Sequence, residues 1–277
     1  MKYYSLKNKL HKVNFKEALF NGLAPDRGLY FPKEVTELNN SFISGLRKYD
    51  KSEVSLNVIS QFIGNEIDKN SLIKIIDHSI DFKFPLKKID NRISVLELFH
   101  GPTMAFKDVG ARFTARCLSY FIRKGFNKKV TVLVATSGDT GAAVASGFHR
   151  VEGIDVFILY PKNKISKIQE KQISTFSDNI FPIEVDGSFD DCQKMVKDAI
   201  IDKDLALNFN FTTANSINIS RWIPQTLYYF FAFMQLSSNI KKTSFSIPSG
   251  NYGNLFSSVI SKKLGLPIEH IISSNNI

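Results

Sequence analysis

From about residue 93 onward, short apolar runs alternate along the sequence with stretches of helical periodicity. The apolar runs, which predict strands, are 130–134, 156–159, 181–185 and 244–247. Strands separated by helices are typical of βαβ units, in which the strands lie parallel in a sheet and helices cover its faces. The sequence therefore predicts an α/β fold with parallel sheets flanked by helices.

The first ninety residues differ from this pattern, because their apolar residues follow amphipathic helical spacing, as at Phe42, Ile43 and Leu46. No obvious cluster of chemical groups occurs there. We predict a mostly helical N-terminal region at 1–92 and an α/β domain at 93–240 that carries the candidate chemistry. We assign 241–277 to the start of a further part of the same large domain.

Composition and charge exclude several classes of protein. The formal charge of +10 suggests nucleic-acid binding, but the lysines are scattered and no stretch interleaves arginine with aromatic residues. The longest apolar patch, 228–236, is too short to span a bilayer, and the first thirty residues contain no secretory apolar segment. Cys117 and Cys192 have no CxxC spacing or histidine partner, which disfavours a disulfide framework or a zinc site. We predict a cytoplasmic protein with neither nucleic-acid nor membrane partners.

The loop at 248–254 follows a predicted strand and precedes a predicted helix at 255–264, and ligands of parallel sheets bind at such strand ends. Its residues are Gly250, Asn251, Tyr252, Gly253 and Asn254. Small residues let backbone N–H groups converge, and the following helix adds its positive N-terminal end, so the loop suits an anion. An ordinary strand-to-helix turn is an equally good explanation. Neither a Walker A nor a GxGxxG motif occurs, which disfavours ATP and dinucleotides.

A second loop, 135–141, leaves strand 130–134 and enters a predicted helix at 142–148. Ser137, Asp139 and Thr140 offer two hydroxyl groups and a carboxylate at the helix start. They could hold a carboxylate ligand or the polar edge of a cofactor, and Asp139 and Thr140 could equally be helix caps.

The segment 215–221 brings hydroxyl, amide and guanidinium groups together within two helical turns, on Ser216, Asn218 and Arg221. Such a set suits a phosphoryl group, because arginine and hydrogen-bond donors match phosphate oxygens. The alternative is a capped helix start that leads into a helix at 222–233.

Lys107 lies in the first turns of a predicted helix, since apolar residues at 106, 109, 113 and 117 trace one face and Gly-Pro-Thr precedes it. Partial burial and the positive helix end disfavour the ammonium form, which would make the amine a nucleophile or a base. The alternative is a lysine whose stem packs on apolar neighbours and whose amine pairs with Asp108 or another acid. His100 could act as an acid or base, although a turn residue is the commoner role before Gly-Pro.

Taken in order, several segments of this chain resemble threonine synthase, a family of pyridoxal 5′-phosphate (PLP) enzymes with the tryptophan-synthase β-like fold, fold type II. The segments are 28–32, 98–103, 105–108, 135–142, 158–161, 215–221 and 248–254. Their number and common order make chance a poor explanation. The resemblance implies a lyase of threonine biosynthesis that converts O-phospho-L-homoserine and water into L-threonine and phosphate.

The resemblance also implies roles for individual residues. Lys107 would bind PLP as an internal Schiff base and would shuttle protons during the reaction. The loop from Gly250 to Asn254 would hold the cofactor phosphate, and Asp139 would face the ring oxygen of the cofactor. The implied contacts of the substrate, at its α-carboxylate or its phosphate, are Thr103, Ser137, Asp139, Thr140, Ser216, Asn218 and Arg221.

The chain departs from the family at its end, because it stops at Ile277 whereas family members carry a substantial further region. That region supplies the hydroxyl side chain that faces the pyridine nitrogen, which here would lie beyond Ile277. We therefore expect a C-terminally truncated chain or a fragment, with an incomplete large domain. The alternatives are another fold-type II lyase, such as a phospho-amino-acid lyase or a dehydratase, and a non-catalytic paralogue. The sequence does not decide between a monomer and a homodimer.

Overall fold

A computed structural model describes residues 1–126, 128–237, 239–240 and 242–275. The chain begins with a small antiparallel sheet of strands β1 (Tyr3–Ser5), β2 (Lys12–Val13) and β3 (Tyr30–Pro32), with β1 in the middle. Helices α1 (Phe15–Asn21), α2 (Asn40–Ser44), α3 (Lys51–Ile63) and α4 (Lys69–Ser79) form most of the remaining N-terminal region. The predicted helical character is confirmed. The sheet was not predicted, because strands of two or three residues are too short to show alternation.

Polar side chains determine where the first helices begin. Asn14 and Glu17 form a capping box at the start of α1, and Asp50 and Glu53 form another at the start of α3. Glu66 adds a long-range cap, because its carboxylate accepts hydrogen bonds from the first two N–H groups of α1 at 2.8 and 2.9 Å. The N-terminal helices are thereby fixed to one another as well as individually capped.

A hairpin of β4 (Leu86–Lys88) and β5 (Ser94–Leu96) leads into the long helix α5 (Lys107–Arg123). The central sheet then follows, with β6 (Val130–Ala135), β7 (Ile154–Pro161), β8 (Ile180–Val185) and β9 (Asn210–Thr213) in the parallel order β8-β7-β6-β9. The helices between these strands are α6 (Asp139–Phe148), α7 (Lys167–Ser174), α8 (Phe189–Ile201) and α9 (Lys203–Asn208). The parallel sheet is confirmed, and β6 is buried along its whole length. Strand β9 was missed, since its sequence NFTT contains a single large apolar residue.

The C-terminal part begins with α10 (Ile219–Trp222), a 3₁₀ turn (Ile223–Gln225) and α11 (Thr226–Gln235). One continuous helix was predicted here, but Pro224 lacks the N–H that an uninterrupted helix needs at this position. Strands β10 (Thr243–Pro248) and β11 (Ile268–Ser274) form a separate parallel pair around α12 (Gly253–Lys263). Among the described residues, no helix combines the length and apolar character that crossing a membrane requires.

One large buried cluster includes residues from all three predicted segments, for example Tyr3, Phe113 and Ile268. The N-terminal helices therefore pack directly on the α/β part. The predicted boundaries at 92 and 240 remain predictions. Asn276 and Ile277, the last residues of the third predicted segment, lie outside the described part of the chain.

Candidate active site

Lys107 is the first residue of α5, so its predicted position in the first turn of a helix is confirmed. Its amine lies 3.2 Å from Oδ2 of Asp139, and 5.0 Å from the ring centroid of Phe106. Asp139 is the first residue of α6, which follows the carboxyl end of β6. The side chain of Lys107 is 21% exposed, so the amine is accessible from one side. The alternative of a lysine paired with Asp108 or another acid is met by Asp139, an acid of another element, rather than by the adjacent Asp108.

Asp108 instead points into the protein, where its side chain is buried. Its carboxylate accepts hydrogen bonds from the backbone N–H of Thr103 at 3.0 Å and from the Thr103 hydroxyl at 2.6 Å. Burial raises the pKa of Asp108 above its usual value, although these two hydrogen bonds oppose the rise. Asp108 thus fixes the loop that leads into Lys107. Because the Thr103 hydroxyl donates its hydrogen to Asp108, it has no hydrogen left to donate to a ligand.

The loop after β6 is shorter than predicted, because α6 begins at Asp139 rather than at 142. The N-cap is Gly138, and the first-turn N–H of Gly141 donates to the Thr136 hydroxyl at 2.8 Å, so Asp139 and Thr140 are not the caps of this helix. Asp139 Oδ1 accepts a hydrogen bond from Gln169 Nε2 at 2.7 Å. Burial opposes ionisation of Asp139, but the Lys107 ammonium and the Gln169 hydrogen bond together lower its pKa. Ser137 is exposed, whereas Thr140 is buried.

The loop at 250–254 presents unused backbone donors. Within the described ranges, the backbone N–H groups from Gly250 to Asn254 donate no hydrogen bond. Tyr252 adopts a left-handed conformation with φ 57°, and Gly253 begins α12 without a side-chain cap. The Asn254 side chain shapes the loop, donating to the Pro248 carbonyl at 2.9 Å. Consecutive free N–H groups at a helix start fit a phosphate group.

Two adjacent tyrosines on α11 connect this loop to the lysine. The Tyr228 hydroxyl donates to the backbone carbonyl of Phe106, directly before Lys107. The Tyr229 hydroxyl donates to the carbonyl of Asn254 at 2.6 Å. Burial raises the pKa of both phenols, so they remain protonated donors. Sequence reasoning missed them, although two hydroxyl-bearing rings in the otherwise apolar run LYYFFAF were an available signal.

Ser216 lies between the two loops. A Cβ atom placed on Gly253 would be 3.5 Å from Cβ of Ser216. The neighbouring Asn215 side chain donates to the carbonyl of Ala135 at 2.7 Å and accepts from its N–H at 3.2 Å. Half-buried Ser216 is therefore held close to both the free N–H groups and the end of β6.

Asn218 and Arg221 lie deeper in the structure. Asn218 caps α10 and donates to the carbonyls of Leu19 and Thr213, and its side chain is fully buried. Arg221 is also buried and donates to the carbonyl of Ala214, and burial lowers its pKa to about 10. A phosphate group would reach these side chains only after a rearrangement. Their assignment to a substrate phosphate stays a prediction.

Comparison with known proteins identifies the family. Residues 83–267 match the family described as pyridoxal-phosphate dependent enzyme, and residues 2–80 match the family described as threonine synthase N terminus. The chain belongs to the pyridoxal-phosphate dependent enzyme family. This membership confirms the predicted fold class and PLP as the cofactor. The free N–H groups of the loop at 250–254 fit the phosphate of PLP, and the Lys107 amine fits its aldehyde.

The relatives also confirm the predicted resemblance. The chain is 47% identical to threonine synthase of Buchnera aphidicola from Acyrthosiphon pisum and 41% identical to that of Escherichia coli, over its whole length. It covers 64% of each of those two proteins. The solved threonine synthase of E. coli superposes with a TM-score of 0.93 over the whole chain and 64% of that structure. The PLP-bound threonine synthase of Brucella melitensis is 37% identical, with a TM-score of 0.90, over 99% of this chain and 60% of that one.

Proposed function

We propose that this chain carries the cofactor site of a threonine synthase, the lyase that converts O-phospho-L-homoserine and water into L-threonine and phosphate. The observation that carries the proposal is that hydrogen bonds from one helix, α11, join the Lys107 site to the loop at 250–254. Asp139 holds the Lys107 amine at the end of β6. The adjacent Tyr228 and Tyr229 hydroxyl groups bond the backbone before Lys107 and the loop of free N–H groups.

PLP, when bound, supplies an aldehyde that can bond to a lysine amine and a pyridine ring that takes up electrons from the substrate. Lys107 binds this group and carries protons at the reacting carbons, because a lysine amine can act as a base once it is neutral. Asp139 orients the amine and would help to hold the cofactor beside it. The N–H groups from Gly250 to Asn254 bind the cofactor phosphate.

For the substrate, we propose contacts close to Lys107. Exposed Ser137 and the first turn of α6, with Thr140, offer hydroxyl and N–H donors for an α-carboxylate. Half-buried Ser216 is the most accessible candidate for the substrate phosphate. Thr103 stays a candidate, but it is buried and its hydroxyl donates to Asp108, so it would first have to exchange that partner. Asn218 and Arg221 stay candidates that need the rearrangement described above.

We also propose a cytoplasmic location. Both cysteines, Cys117 and Cys192, are free and buried, which fits a reducing compartment. The proposed partner is the small-molecule substrate, and both a monomer and a homodimer are compatible with this proposal.

Two measurements test the function. The purified chain is incubated with PLP and reduced with borohydride, and mass spectrometry locates the label. We expect the label on Lys107 and its loss in Lys107→Ala, with Lys87→Ala as a control that keeps it. Product analysis with O-phospho-L-homoserine should then yield equal amounts of phosphate and threonine. Ammonia and a keto acid would instead indicate a dehydratase, and no label on Lys107 would refute the cofactor site.

A further inference from the structure

Gln169 on α7 occupies an unusual position, because its side-chain amide serves two neighbours at once. Its Nε2 donates to Asp139 Oδ1 at 2.7 Å, and its Oε1 accepts from the N–H of Ser166 at 3.2 Å. These contacts fix the orientation of the amide. Exchanging its oxygen and nitrogen would place the oxygen against the Asp139 carboxylate and the NH₂ group against the N–H of Ser166. The two oxygens of the Asp139 carboxylate are consequently divided, with Oδ1 on Gln169 and Oδ2 on Lys107.

The Gln169 amide also packs against the loop itself. A Cβ atom on Gly138 would lie 2.4 Å from both Cδ and Nε2 of Gln169, far closer than atoms can pack. Gly138 also has φ 136°, a conformation that L side chains rarely adopt. The backbone of the turn therefore favours glycine before Asp139, and a larger residue there would displace the Gln169 amide.

The residue at 169 differs in type from the residues at the same position of the other helices that begin with a capping box. Four helices of the described chain begin with a capping box, in which the third residue bonds back to the N-cap. The carboxylates that fill this third position in α1, α3 and α8 are those of Glu17, Glu53 and Asp191. A carboxylate also interacts favourably with the positive helix end. Helix α7 alone among these four has an amide here, and it is the one whose third residue contacts another carboxylate.

We infer that Gln169 is a positioning residue of the active site, which holds the Asp139 carboxylate on the Lys107 amine and so controls how readily that amine bonds PLP. The effect on PLP attachment rests on the proposed function. The contact between Gln169 and Asp139 does not depend on that function. A glutamate at 169 would cap α7 equally well and would repel Asp139. The amide is the side chain that satisfies both neighbours.

A direct test follows the Asp139 carboxyl by ¹³C NMR during a pH titration of the chain without PLP. Removing the hydrogen bond in Gln169→Ala, or adding a like charge in Gln169→Glu, should raise the pKa of Asp139 by about 0.5 to 1 unit. The matched control is Ser166→Ala, which removes the N-cap hydroxyl of α7 and leaves the amide in contact with Asp139. Its Asp139 titration should coincide with that of the unchanged chain.

A second readout is the pH dependence of PLP attachment to Lys107, measured by borohydride reduction. In Gln169→Ala, Asp139 is free to turn toward solvent, so attachment should reach its midpoint about 0.5 pH unit lower. In Gln169→Glu, the added negative charge favours the ammonium form, so the midpoint should rise by about the same amount. Opposite shifts from one position distinguish positioning from a general loss of folding.

Equal effects of Ser166→Ala and Gln169→Ala would overturn the inference, because Gln169 would then act only through the helix cap. Unchanged Asp139 titration in both Gln169 variants would overturn it as well. If the unchanged chain does not attach PLP at Lys107, the proposed function fails, and the NMR titration still decides the role of Gln169.

Discussion

Replacing Tyr229 by phenylalanine removes one hydroxyl group that joins α11 to the loop at 250–254. The bond to the Asn254 carbonyl is 2.6 Å long, and the Tyr229 side chain is only 5% exposed. Phenylalanine fills the same space, so no cavity forms. The cost is that of one buried neutral hydrogen bond, because the Asn254 carbonyl lies within α12 and can still accept the helical bond. Such a loss lowers the free energy of unfolding by about 0.5–1.5 kcal/mol. If the loop must be ordered to bind the cofactor phosphate, the dissociation constant of PLP should rise by about two- to tenfold.

Urea denaturation of the chain without PLP measures the first quantity, and an absorbance titration with PLP measures the second. The matched control is Tyr49→Phe, since the Tyr49 hydroxyl has no hydrogen-bond partner within the described ranges and the residue lies in the N-terminal region. We expect Tyr49→Phe to change the free energy of unfolding by no more than about a few tenths of a kcal/mol. A stability loss in Tyr229→Phe with unchanged PLP affinity would refute the role of this bond in holding the loop. No change in either quantity would refute the energetic argument itself.

Two further predictions concern α5 and α6. In Gly110→Ala, the new Cβ would lie 2.6 Å from the carbonyl oxygen of Arg221, so overpacking should outweigh the better helix propensity of alanine, and urea denaturation should show a loss of about 1–2 kcal/mol. In Asp139→Asn, the ion pair with Lys107 is lost, which should cost no more than about 1 kcal/mol because the two side chains are 49% and 21% exposed. The folded-state pKa of Asp139 is lowered, so this stability is present above the ordinary carboxyl pKa and disappears as the pH falls through the lowered value. Denaturation curves of the chain and Asp139→Asn should therefore converge in acid, and a difference that persisted there would contradict the ion-pair explanation.

Much of the fold followed from local sequence patterns. The runs at 130–134 and 156–159 are apolar and contain several β-branched residues, and both lie within observed parallel strands. Strands β9 and β1 were missed, because NFTT and YYS are too short and too polar to show a period. Their pairing depends on neighbouring strands that are distant in sequence.

The sequence alone determined the chemical groups and their local setting: Lys107 at a helix start, a small-residue loop at 250–254 and a hydroxyl-rich loop at 135–141. These are local properties, since caps, turns and periodicity involve residues within a few positions of one another. Only the tertiary structure decided which partners these groups have. The Lys107 amine selects Asp139 over the adjacent Asp108 because α5 turns the Asp108 carboxylate inward to Thr103. Such choices depend on how elements pack, which spacing along the chain does not specify.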